Sequence, residues 1–158
     1  MNMDFTLYTL ARSFHVAAIV GWIGGVWFVT LVVMPAITRS EPPASRLAAF
    51  HQIEQGFSAQ AKFWVLLAGA SGFWMTHQAG LWSRFADSAY WWMHAMLALW
   101  LVFAAMLFVA EPLFLHRRMA RSPTPEVDFA RMVMVHRLLS ALALVTVLGA
   151  MAGAHGLI

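Results

Sequence analysis

Residues 14–37 read FHVAAIVGWIGGVWFVTLVVMPAI, a run of about 24 residues, long enough to cross the hydrocarbon layer of a bilayer as a helix. Its only ionisable side chain is His15. The less apolar stretch Phe5 to Ser13 continues the same helix outward, and Pro35 and Arg39 mark its inner end. Beyond it, Pro42 and Pro43 precede Arg46, His51, Glu54 and Gln55, which interleave with Leu47, Phe50 and Phe57 at helical spacing. That pattern predicts a short amphipathic helix lying in the membrane interface. Three more apolar runs follow, from Lys62 to Trp82, Tyr90 to Leu115 and Met132 to Ala154, each able to span. The expected fold is therefore all-α: an integral membrane antiparallel four-helix bundle in one domain over residues 1–158. Its spans are expected at about 7–37, 62–82, 90–115 and 132–154, with the interfacial helix at about 43–58. The basic, proline-containing segment Arg117 to Pro125 reads as a surface loop.

Composition leads to the same environment. Of 158 residues 61% are hydrophobic and 11% charged, against about 25% charged in a soluble domain, and mean hydropathy is +0.70. So few charges cannot cover a surface in water, and the expected partner is the lipid bilayer. The absence of cysteine excludes disulfides, thiolate metal sites and cysteine nucleophiles. The net charge of +3 reports a positive-inside bias rather than nucleic-acid binding. No cleavable leader is expected, because Met1 to Asp4 lacks a basic region. Arg39, Arg46 and Lys62 flank the first connection; Arg117, Arg118, Arg121, Arg131 and Arg137 flank the third; the other side has only Arg12 and Arg84. Both termini are therefore expected on the outer, periplasmic side.

Gly21 and Gly25, and again Gly149 and Gly153, form GxxxG pairs. They imply close helix contacts within the bundle, or homodimerisation through one of those faces. Tyr90, Trp82, Trp91 and Trp92 sit where an interfacial aromatic belt belongs.

Seven histidines in so apolar a chain are the functional signal, because an ionisable group at membrane depth normally faces the bundle interior with a partner or ligand. Counting about 1.5 Å per residue, His15 and His94 fall at matching depth in the outer half. His77 lies on the same side, and His155 near the outer end of the last helix. His136 falls in the inner half, with His51 and His116 at or beyond the inner boundary.

A b-type haem between helices needs two axial ligands at one level, aromatic walls, and cations for its propionates. The outer cluster predicts His15 and His94 as ligands with His77 in reserve. Trp22, Phe14, Trp74 and Trp91 are expected as walls, and Arg12 and Arg84 as propionate partners. The alternative is copper: Met75, His77, Met93, His94 and Met96 supply the thioether and imidazole ligands that suit Cu(I), with His15 as a further imidazole. The structural alternative is a set of histidines hydrogen-bonded inside the bundle.

The inner cluster places Glu111, directly before a helix-kinking Pro112, opposite His136 and Arg137. This predicts a buried ion pair, or a proton path or quinone headgroup site. His51 and Glu54 are within reach of it. Ser13, Ser71 and Ser140 have no base-and-orienter context, so nucleophilic catalysis is not expected.

The first helix, from Leu10-Ala-Arg-Ser-Phe-His15 through Gly21-Trp22 and Gly24-Gly25 to Met34-Pro35-Ala36, resembles the opening helix of small proteins of the copper-resistance D (CopD) superfamily. Trp92-Met-His94, Glu111-Pro112-Leu113 and Phe129-Ala-Arg131 with His136-Arg137 are similar to the short four-helix members, so the resemblance covers nearly the whole chain. It implies a bacterial inner-membrane location and either copper handling or, through the related protoporphyrinogen oxidase HemJ, haem binding and redox chemistry. In the HemJ pattern a lysine follows the third-helix histidine by two positions, and an Asn-Glu-x-Pro run opens the last helix. Here those places hold Met96 and Val135-His136-Arg137. The expected function is b-type haem binding for electron transfer, with quinone or an outer electron-transfer protein as partner. Copper(I) transport and a cofactor-free accessory subunit are the alternatives.

Overall fold

The computed structural model describes residues 3–115 and 122–157, and the side chains of 5–113 and 122–157. His116, and Arg117, Arg118 and Arg121 of the expected loop, lie outside the described residues, which contain helices and turns only. Helix α1 (Met3–Phe28) continues through a π-helical turn (Val29–Val33) into α2 (Met34–Ser40). Helix α3 is Arg46–Gln78, α4 is Trp91–Ala105 followed by a π-helical segment Met106–Leu115, and α5 is Pro125–Ala154. Short 3-10 turns at Leu81–Ala86 and Ser88–Tyr90 join α3 to α4. Among the described residues three stretches are long and apolar enough to cross a membrane: Phe5–Ser40, Ser88–Leu113 and Pro125–Ala154.

The two interior prolines act by widening the helix rather than by ending it. Pro35 offers no N–H, and its ring crowds the carbonyl of the residue four positions before it. The backbone relieves this over Val29–Val33 and runs on to Ser40. Pro112 sits inside the second π-helical segment in the same way. Residues 46–78 form one helix, with no break where a short helix was expected to hand over to a span. The junction residues Ala59, Gln60, Ala61 and Lys62 are all good helix formers. α5 begins at Pro125, well before the expected start near 132. Its proline lies in the first turn, where a missing donor costs nothing, with Glu126 and Asp128 beside the positive end of the helix.

Consecutive long helices run antiparallel. Along α1 and α3, His15 meets Ala68, Gly21 meets Trp64 and Gly25 meets Phe57. Trp100 bonds the carbonyl of Val65 while Glu111 reaches Ser58. The core joins all four: Ala18, Trp22 and Val26 of α1, Val65 and Ala68 of α3, Leu99 and Phe103 of α4, and Leu139 and Ala143 of α5. A second cluster, Met34, Ile37, Leu47, Phe50 and Phe129, closes one end. Outside it, Val20, Leu31, Phe63, Leu66, Leu101 and Leu138 are exposed, so the outer face is apolar on every long helix.

Both glycine pairs are filled by aromatic rings of the same chain. A Cβ on Gly21 would lie 2.6 Å from the Trp64 ring, Gly25 faces Phe57, and Gly149 and Gly153 face Trp91 and Trp92. A homodimer would therefore have to use another surface. Of the tryptophans expected in the interfacial belt, Trp92 is buried against Gly153 of α5, while Trp91 packs on Gly149 and keeps an exposed face.

Candidate functional site

His15 is presented from α1 to the middle of α3. Its Nδ1 lies 3.0 Å from the carbonyl oxygen of Ala68 and 3.0 Å from Ser71 Oγ. The Ser71 hydroxyl gives its own hydrogen to Leu67 O at 2.5 Å, so it meets the imidazole as an acceptor. Two acceptors at Nδ1 fix the neutral ring as the Nδ1–H tautomer and leave the lone pair on Nε2. Gly72 stands against the ring, where a Cβ would come within 3.1 Å of Cε1. A backbone carbonyl that holds one ring nitrogen and orients the other is the usual support of a metal-bound imidazole.

His94 is held differently. Its Nδ1 lies 3.1 Å from Tyr90 O, one turn back on its own helix, and its Nε2 lies 3.0 Å from Phe85 O in the preceding turn. The Phe85 ring packs edge-on against it at 5.6 Å. With a carbonyl at each nitrogen, His94 presents no open lone pair to a guest while the 81–90 connection is in place. The expected pairing of His15 with His94 as two axial ligands is therefore not assembled as it stands. His15 meets α3 at Ala68 and Ser71, close to where Gly69 faces Trp100, whereas His94 lies six residues before Trp100 and meets the 81–90 connection. Position along the helix, rotation about its axis and the intervening turns decide what each ring meets.

The other expected residues of this end are dispersed. Phe14 and Trp74, expected as walls, are 51% and 37% exposed and face outward. Trp22 is buried, edge-on to Phe103 at 5.0 Å in the core. Arg12 and His77 are exposed, while Arg84 stacks over Tyr90, its guanidinium carbon 4.7 Å from the ring centroid. Met93 is buried, Met75 and Met96 are half-buried, and His155 is exposed at the end of α5. Among the described residues no three His, Asp or Glu side chains gather closely enough to hold a metal ion.

At the other end, Glu111 is 6% exposed and sits in the π-helical segment. Among the described residues it meets Ser58 and Lys62 rather than the expected His136 or Arg137. Ser58 Oγ donates to Glu111 Oε1 at 2.5 Å, and Lys62 Nζ lies 3.3 Å from the same oxygen. Ser58 and Lys62 are four residues apart, on one face of α3. His136 instead donates from Nδ1 to Met132 O at 2.9 Å. Its ring packs edge-on to Phe50 at 5.6 Å. Arg137 is exposed. A cavity of about 250 Å³ opens beside this group, with walls from α1, α3, the α4 continuation and α5.

The chain matches no family model, no curated protein and no solved structure. Two groups in the structure bear on chemistry. The first is an imidazole with a fixed tautomer and an available nitrogen. The second is a buried carboxylate, hydroxyl and ammonium set next to an apolar cavity. Lys62 carried a usable signal in the sequence: a lysine opening an apolar run, one turn after a serine on the same face.

Proposed function

We propose that the chain is a bacterial inner-membrane antiparallel four-helix bundle that holds a b-type haem through Nε2 of His15 and takes part in electron transfer. In this reading α3 is the second span. Phe63, Leu66, Phe73 and Trp74 give its later part an exposed apolar face that suits lipid. Its first turns, with His51, Gln52, Glu54 and Gln55, lie at the inner interface. The distribution of Lys and Arg supports termini on the outer side.

The observation that carries the cofactor reading is the hydrogen bond from His15 Nδ1 to Ala68 O, backed by Ser71. It prepares one imidazole as an axial ligand. The donor set fits ligation by one histidine. A second axial bond from His94 would require its Nε2 to leave Phe85 O. Arg12, one turn before His15 on the exposed outer part of α1, is the cation available for a propionate. Bound haem would supply one-electron exchange.

The test is an absorption spectrum of the detergent-purified chain before and after dithionite. A Soret band is expected, lost in His15→Ala and retained in His94→Ala. A band that survives His15→Ala overturns the assignment. A colourless preparation with stoichiometric copper would replace it by copper handling through Met75, His77, Met93 and Met96. A preparation with neither leaves an accessory subunit.

A further inference from the structure

We infer that the inner cavity is a binding site for the headgroup of a lipid-soluble ring compound that carries carbonyl oxygens, the quinone class. The site is separate from His15. On α3, Ser58 lies ten residues before Ala68, about 15 Å along the helix axis.

Size limits the guest first. About 250 Å³ falls below the roughly 300–1,000 Å³ of pockets that enclose drug-sized ligands, so the space admits one ring and not a macrocycle. The walls then favour a flat ring. Trp22 and Phe103 form an edge-on pair on one side, and Phe50 with His136 forms another, with Phe57 beside them. Entry is from lipid. The cavity residues Ile53 and Val135 are 47% and 44% exposed on the apolar outer face, so a tail can leave the pocket between α3 and α5 without crossing water. Arg131 and Glu54 are also among the lining residues.

Two polar groups in the wall match the two oxidation states of such a ring. The indole N–H of Trp22 is buried and has no hydrogen-bond acceptor among the described residues. An unpaired buried donor is costly; Trp22 lines the cavity, and on this proposal a ring carbonyl seated there displaces the atoms covering the N–H and accepts from it. Ser58, also in the wall, gives its hydrogen to Glu111, which leaves the lone pairs of its oxygen to receive a hydrogen bond. The hydroxyl of a reduced ring is such a donor. The carboxylate behind it is held by Lys62, whose side chain is 33% exposed. A hydroxyl, carboxylate and ammonium thus connect the cavity wall to the protein surface.

The experiment uses the full chain in phosphatidylethanolamine and phosphatidylglycerol nanodiscs, with a decyl-tailed azidobenzoquinone as photolabel and decyl-tailed benzoquinone as competitor. Saturable labelling is expected within the cavity walls, residues 22–29, 50–61, 103–107 or 131–136, displaced by the unlabelled quinone but not by oleate or dodecanol. Trp22→Phe keeps the ring and is expected to weaken quinone affinity about fivefold, the worth of one neutral hydrogen bond. Trp64→Phe, which removes an equally unpaired indole outside the cavity, is expected to leave affinity unchanged. Ser58→Ala is expected to weaken the quinol and spare the quinone. The proposal is overturned by unsaturable labelling or by labelling elsewhere in the chain. Displacement by oleate as effective as by quinone overturns it too, as does wild-type affinity in Trp22→Phe. None of these readings depends on whether the preparation is coloured.

Discussion

Gly21→Leu is expected to destabilise the protein by at least about 3 kcal/mol, whereas Gly24→Leu, three residues further along α1, is expected to be tolerated. The two glycines share a helix and differ in what they face. A Cβ at Gly21 would already lie 2.6 and 2.7 Å from carbons of the Trp64 indole. That ring is the far end of a large, rigid side chain seated between α1 and α3, so making room means parting the two helices. At Gly24 nothing lies within 4 Å of the added atom, and a leucine there adds one more apolar group to an exposed face. For a chain of this size the loss at Gly21 corresponds to about 6–12 °C in Tm. Thermal unfolding in detergent, followed by size-exclusion recovery, measures it. Equal melting temperatures for the two variants would mean that Trp64 is not wedged against Gly21.

The second large effect is expected at Lys62. Replacing it with methionine keeps most of the stem and removes the positive charge 3.3 Å from Glu111 Oε1. Taking away one member of a buried ion pair typically costs about 3–5 kcal/mol. Here about 2–4 kcal/mol is expected, because the Lys62 side chain is 33% exposed and the Ser58 hydroxyl still bonds the carboxylate. Glu111→Gln alone should be milder, since Lys62 can turn its ammonium outward. The double variant Lys62→Met with Glu111→Gln is expected to recover most of the stability lost in Lys62→Met, because no buried charge then faces a missing partner. Melting curves of the two single variants and the double variant form a cycle that reads the coupling directly. Additive losses would show that the pair contributes little.

The apolar runs were readable in the sequence because length and hydropathy alone decide them, and His15, Glu111 and the paired glycines stood out as exceptions within those runs. What faces what was not readable. One residue turns a helix by about 100°, so two histidines expected at one depth can belong to different neighbours, as His15 belongs to Ala68 and Ser71 and His94 to Phe85 and Tyr90. The partners of Glu111 were missed for the same reason. His136 and Arg137 sit at a plausible level, but α3 rather than α5 presents its polar face to the carboxylate. The unbroken helix through residues 58–62 was not legible, because a change from polar to apolar residues need not interrupt backbone bonding.

The bearing of Glu111 depends on the number of residues upstream of the broadened coil at Met106–Leu115, and not only on their identity. Deleting one residue between Leu107 and Ala110 would let an i→i+5 turn close as an i→i+4 turn, so the carboxylate would keep nearly its bearing toward Ser58 and Lys62. The same deletion in the regular coil of Trp91–Ala105 would turn that acid by about 100°, so the wide segment holds slack that ordinary helix lacks.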